Sequence, residues 1–139
     1  MSVQLESTWT GGKSGKGEIQ SDNLQATITI PAIYGGQGSH SNPKELYVAS
    51  TAACFISTLT AMIEGKKLAI DALRVITHAE VDDDNFSITH TAEVKLSEGV
   101  TDQLIEKAKG IVSKADEICT VGNMARKAGV QISAIAKIS

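Results

Sequence analysis

Alternation and helical periodicity divide the chain into strands, one long apolar helix, a hairpin, two further helices and a last strand. VQLESTWT alternates, with Val3, Leu5, Ser7 and Trp9 on one face, and predicts a half-buried strand. GGKSGKG at 11–17 is a glycine-rich turn with Lys13 and Lys16. Strands are predicted over 16–20 and 24–30, the second with Leu24, Ala26, Ile28 and Ile30 together and stopped by Pro31. The stretch SNPKELYVASTAACFISTLTAMIEGKK, residues 41–67, predicts the central helix. Ser41 and Asn42 can cap its first amides, Pro43 suits the first helical position, and Gly65 can close the far end in a left-handed conformation. At about 100° per residue Tyr47, Cys54 and Ala61 fall on one line, flanked by Ser50, Thr51, Ser57 and Thr58, so Cys54 sits in a lightly polar notch.

Residues 71–81 and 86–96 predict a hairpin turning through 82–85. Pairing Val81 with Phe86 puts Ala79 opposite Ile88, Val75 opposite Ala92 and Leu73 opposite Val94, a consistent apolar face. His78 and His90 then face opposite ways and do not share a metal; His90, opposite Thr77, reads as a hydrogen-bonded core histidine. A helix over about 101–118 carries a stripe of Val100, Leu104, Ala108, Ile111, Ala115 and Ile118. Cys119 follows, then a bend and a short helix stopped at Gly129, and a strand over 130–138. The order βββ–α–ββ–ααβ predicts one α+β domain over residues 1–139, mostly antiparallel and without a βαβ series.

The composition, 139 residues with 42% hydrophobic and 21% charged, suits a single domain with a real core. A net charge of −3 with scattered lysines argues against nucleic-acid binding. The apolar run around 48–63 is interrupted by Ser50, Thr51, Ser57, Thr58 and Thr60, and no cationic apolar leader precedes it, so a soluble, cytoplasmic protein with no membrane partner is expected. The two cysteines lack zinc-site spacing and no cofactor is expected; they are either two buried small hydrophobes or one redox pair. A nucleophilic cysteine needs its thiolate. Cys54 lies about three turns from its own helix N-terminus, so that dipole helps little and activation must come from other segments. The lysines of the glycine-rich turn or the Cys119 thiol are the candidates. His40 reads as a loop histidine close to the helix entry.

SNPKELYVASTAACFISTL resembles the NPE-E/Q-L…A-x-x-A-C-F signature of the OsmC and organic hydroperoxide resistance family, and ICTVGNMAR resembles that family's second-cysteine motif. The WTGGKSGKG turn and the order of elements agree, so the resemblance spans nearly the whole chain. It implies an OsmC-like fold in which antiparallel sheets wrap a long central helix in an intertwined homodimer, with sites at the subunit interface. It also implies a thiol peroxidase: Cys54 attacks the peroxide and becomes a sulfenic acid, Cys119 resolves it to a disulfide, and a dithiol, typically a lipoyl group, reduces the pair. Two positions depart from the organic hydroperoxide branch. Lys13 stands where that branch has arginine, and Lys44 where it has glutamate. Lysine supplies charge but not the planar two-pronged contact of a guanidinium. Lys13 is therefore assigned to the catalytic set beside Cys54 and Cys119, with Tyr47, His40 and Lys44 on the substrate side. Glu45 is expected to point away from the thiol, and Arg126 is the other candidate for the missing guanidinium. The alternative is a ligand-binding scaffold of the same fold with inactive thiols.

Overall fold

Asn42 opens the central helix, its Oδ1 accepting from the Glu45 N–H at 2.9 Å, a side-chain cap on a first-turn amide. In the computed structural model, which describes residues 1–139, this helix (α1) runs Pro43–Gly65. Gly65 does not take the left-handed stop. That conformation falls at Lys67 (φ 55°), where the N–H of Leu68 bonds the Ile63 carbonyl and that of Lys67 bonds the Glu64 carbonyl, both at 3.0 Å. The pair of bonds is a Schellman closure, and it places Leu68 with Ile63 in the core.

The chain divides into two compact units, Met1–Tyr47 and Val48–Ser139. In the first, β1 (Glu6–Thr10), β2 (Lys16–Gln20) and β3 (Gln25–Ile28) form an antiparallel sheet in that order. Gly11 and Gly12, both at positive φ, turn β1 toward β2, and the Trp9 indole N–H donates to the Gly12 carbonyl. The predicted first strand is shortened: Val3 and Leu5 precede β1, and with Trp9 they are exposed rather than half-buried.

In the second unit β4 (Ile70–Val81) and β5 (Phe86–Leu96) pair antiparallel in the predicted register, Val81 with Phe86 through Leu73 with Val94. β6 (Gln131–Ile138) lies on the other side of β5 and runs parallel to it, Ile132 beside Ile88 and Ala134 beside His90. The mostly antiparallel arrangement expected from the sequence holds, with β6 pairing parallel. The reason is the connection: α2 (Asp102–Ile118) and α3 (Thr120–Lys127) carry the chain back along the sheet, the long crossover that parallel pairing requires.

Phe55, Leu59 and Ile63 of α1 join Ala92, Val94 and Leu96 of β5 and Ala108, Ile111, Val112 and Ala115 of α2 in the main core cluster. Two ends of the predicted α2 stripe fall outside it, because Val100 precedes the Thr101 cap and Ile118 ends the last turn; both are exposed. His90 is 1% exposed, bonded through Nδ1 to the Thr77 hydroxyl at 2.8 Å and stacked on Phe55 with ring centroids 4.7 Å apart. Burial, the main cause, and the nearby Arg126 charge hold its pKa down against the opposing pull of Asp116. His78 projects from the opposite face, where it meets Glu80 at 2.7 Å. A lysine at φ 55° carries a steric cost that glycine lacks, so Lys67→Gly is expected to raise the unfolding free energy by about 1 kcal/mol. A urea titration showing equal or lower stability would contradict this assignment of strain.

Candidate active site

α2 ends at Ile118 and α3 begins at Thr120, leaving Cys119 as the single residue of the corner between them. Its extended backbone (φ −63°, ψ 111°) turns the chain, and its carbonyl accepts the first bond of α3, from the Asn123 N–H at 2.9 Å. The amides of Thr120, Val121 and Gly122 precede that bond and have no acceptor within their own helix. Two of these amides meet the sulfur of Cys54.

Cys54 lies on α1 beside the buried line of Thr51, Phe55 and Leu59, and is itself only half-buried. Burial pushes its thiol up, but four other contacts together outweigh this and leave it below its ordinary value. In order of size they are hydrogen bonds from the Cys119 thiol, the Val121 N–H, the Thr58 hydroxyl and the Thr120 N–H. Thr58 has a single hydroxyl proton, and its Oγ1 also stands 2.8 Å from the Cys54 carbonyl as a donor. The hydroxyl divides between these two acceptors, whereas the α3 amides have no competing partner in the helix. The weight of the effect therefore rests on the Cys119 thiol and the α3 N-terminus, where the helix dipole also favours negative charge.

Cys119 moves the other way, to about 11, because it is buried, because its thiol is the donor to Cys54, and because the Cys54 and Asp116 charges repel a second anion. A Cβ built on Gly122 would lie 3.3 Å from the Cys119 sulfur, so the absent side chain makes room for that sulfur under α3. Both cysteines are free thiols. The arrangement is two thiols in hydrogen-bond contact whose acidities are shifted in opposite directions, Cys54 down and Cys119 up.

The structure thus brings together Cys54 and Cys119, far apart in sequence. The other expected site residues belong to the first unit. Lys13 is exposed in the turn after β1, its stem over Gly35, where a Cβ would lie 3.2 Å from the Lys13 Cδ. His40 Nδ1 pairs with the Ser39 hydroxyl at 3.1 Å, and its backbone N–H donates to Thr29 Oγ1. Lys44 and Tyr47 are exposed in the first turns of α1. Arg126 is not a free guanidinium: it is bonded to Asp116, Asn123 and the Ile132 carbonyl. The contribution missed from the sequence is that of the Thr120 and Val121 amides. Its signal was present, a cysteine standing directly before a short helical segment.

Residues 36–134 match the OsmC-like protein family. The chain is 29% identical over 122 residues to the uncharacterised protein YmaD of Bacillus subtilis (strain 168), covering 84% of this chain and 81% of that protein. It is 28% identical over 120 residues to the organic hydroperoxide resistance protein of Xanthomonas axonopodis pv. citri (strain 306), covering 86% and 84%. Its fold is similar to the crystal structure of the organic hydroperoxide resistance protein OhrB of Bacillus subtilis, with a TM-score of 0.59 and 26% identity over 96% of this chain and 98% of that one.

The opposite shifts of the two thiols predict selective chemistry. Iodoacetamide at pH 7 should label Cys54 and spare Cys119 in the folded protein, as peptide mass spectrometry would show. The selectivity should vanish in denaturant, where both thiols return to ordinary values.

Proposed function

Since this chain belongs to the OsmC-like protein family, we propose that it is a cysteine-based peroxidase that reduces organic hydroperoxides through a Cys54 and Cys119 redox pair. The observation that carries this reading is the contact of two thiols shifted oppositely, Cys54 lowered and Cys119 raised to about 11. In the first step the Cys54 thiolate attacks the terminal peroxide oxygen and the O–O bond breaks. The alkoxide takes a proton and leaves as the alcohol, and Cys54 becomes a sulfenic acid. That oxidation removes the anion opposing ionisation of Cys119. The second thiol then attacks the sulfenic sulfur, water leaves, and a disulfide forms. A dithiol reductant, of the lipoyl kind, accepts the oxidation and restores both thiols.

In this reading Lys13 supplies positive charge toward the thiolate and peroxide, while Tyr47, His40 and Lys44 border the substrate. The working unit is a homodimer in a soluble, cytoplasmic setting. Support for a second copy comes from the surface. Val3, Leu5, Ile33 and Tyr34 are at least half exposed, and neither core cluster contains a residue before Val48. The exposed positions of α1 include Ala49, Ser50, Ala53, Ser57 and Thr60, small residues that permit close helix packing. Although α1 is long and apolar enough to cross a bilayer, its large side chains Phe55, Leu59 and Ile63 are in the core.

Reduced protein treated with one equivalent of cumene hydroperoxide should lose both thiols and yield a Cys54–Cys119 linked peptide pair. Cys119→Ser should stop at a sulfenic acid that dimedone traps on Cys54, and Cys54→Ser should consume no peroxide. Unchanged thiols in the wild type would leave the scaffold alternative in its place.

A further inference from the structure

Arg126 spends its guanidinium on three elements at once. Its Nη2 donates to both carboxylate oxygens of Asp116 on α2 at 2.8 Å and to the Ile132 carbonyl on β6 at 3.0 Å. Its Nη1 donates to the Asp116 carbonyl at 3.0 Å and to Asn123 Oδ1 on its own helix at 2.9 Å. Asn123 in turn donates through Nδ2 to the Glu117 carbonyl at 2.9 Å. The Asp116 and Glu117 carbonyls are among the last four of α2, groups that their own helix leaves without partners. Side chains of α3 therefore cap the end of α2, and Cys119 is the hinge between the two helices.

This arrangement sets where the α3 N-terminus points. Over a helix of 8 residues, a tilt about the Cys119 corner would carry the Thr120 and Val121 amides off the Cys54 sulfur. The resisting contacts use both ends of the guanidinium, Nη2 toward the Asp116 carboxylate and β6 and Nη1 toward the Asp116 carbonyl and Asn123; the Arg126 and Asp116 side chains are 29% and 18% exposed, so the pair is only partly screened.

We propose that Arg126 is a positioning residue for Cys54, locking the corner between α2 and α3 so that the first amides of α3 stay directed at the Cys54 sulfur. It touches neither sulfur nor substrate. Its role differs from the one assigned to Lys13: it orients backbone donors instead of supplying charge toward the thiolate. The inference concerns the site assigned above, yet its readout is thiolate formation without peroxide, so it stands or falls separately from the peroxidase reading.

The test is Arg126→Lys, which keeps the charge beside Asp116 and loses the fork. Thiolate absorbance at 240 nm should show the lower-pH thiol transition moving up by about one pH unit relative to wild type. Alkylation of Cys54 at pH 7 should slow several-fold, while the far-ultraviolet circular dichroism is retained. A folded variant with an unchanged transition would overturn the proposal and leave Arg126 a stabilising residue only. Should Arg126→Lys not fold, Asn123→Ala decides. It removes the Glu117 bond and one Arg126 acceptor but keeps the Asp116 pair, and it should move the same transition in the same direction by a smaller amount. No movement in that variant would equally overturn the proposal.

Discussion

The sulfur of Cys54 completes the N-terminus of a helix that is not its own. The first amides of α3 need acceptors, and two of them find the same atom. A thiol placed there loses its proton more readily, since hydrogen bonds and the helix dipole both favour the anion. The second thiol, at the residue that starts α3, donates to the first and is held protonated by burial and by its neighbour's charge. Most of what distinguishes this pair from two inert core cysteines follows from that single contact between α1 and the α2–α3 corner.

The surrounding structure holds the contact in place from both sides. Phe55, the residue after Cys54, is fully buried and stacks on His90 of β5, which ties the α1 backbone to the sheet directly beside the reactive sulfur. On the other side, Ala125 of α3 packs in a second apolar cluster with Ile88 and Val130, while Arg126 and Asn123 hold α3 to the end of α2. The parallel return of β6 belongs to the same arrangement. It is the crossover through α2 and α3 that brings Cys119 back to α1.

Much of the fold was legible along the chain because its signals are local. Alternation and one turn define the β4–β5 register, and a single apolar face leaves little freedom to slip. The same register placed His90 against Thr77 and sent His78 outward. Direction was less legible: the residues of β6 alternate alike whether it runs parallel or antiparallel, and only the crossover decides. The helix stop moved from Gly65 to Lys67 because packing of Leu68 with Ile63 outweighed local preference. At the site, helix arithmetic set aside the α1 dipole and left among the candidates the Cys119 thiol, which is the largest of the contacts that lower Cys54. The α3 amides were marked only indirectly, by a cysteine directly before a short helix, while Lys13 and Arg126 carried explicit charge. The latter proved committed to Asp116, Asn123 and Ile132.

The central claim is that the Cys119 thiol and the first amides of α3 make Cys54 the more acidic of the two thiols, while Cys119 keeps its proton. Carbon-13 labelling of both cysteine Cβ atoms, followed by nuclear magnetic resonance across pH, reports each sulfur separately. The account predicts that Cys54 titrates first, below an ordinary cysteine, and that Cys119 follows only near pH 11. Two cysteines titrating together at an ordinary value, or Cys119 ionising first, would contradict it.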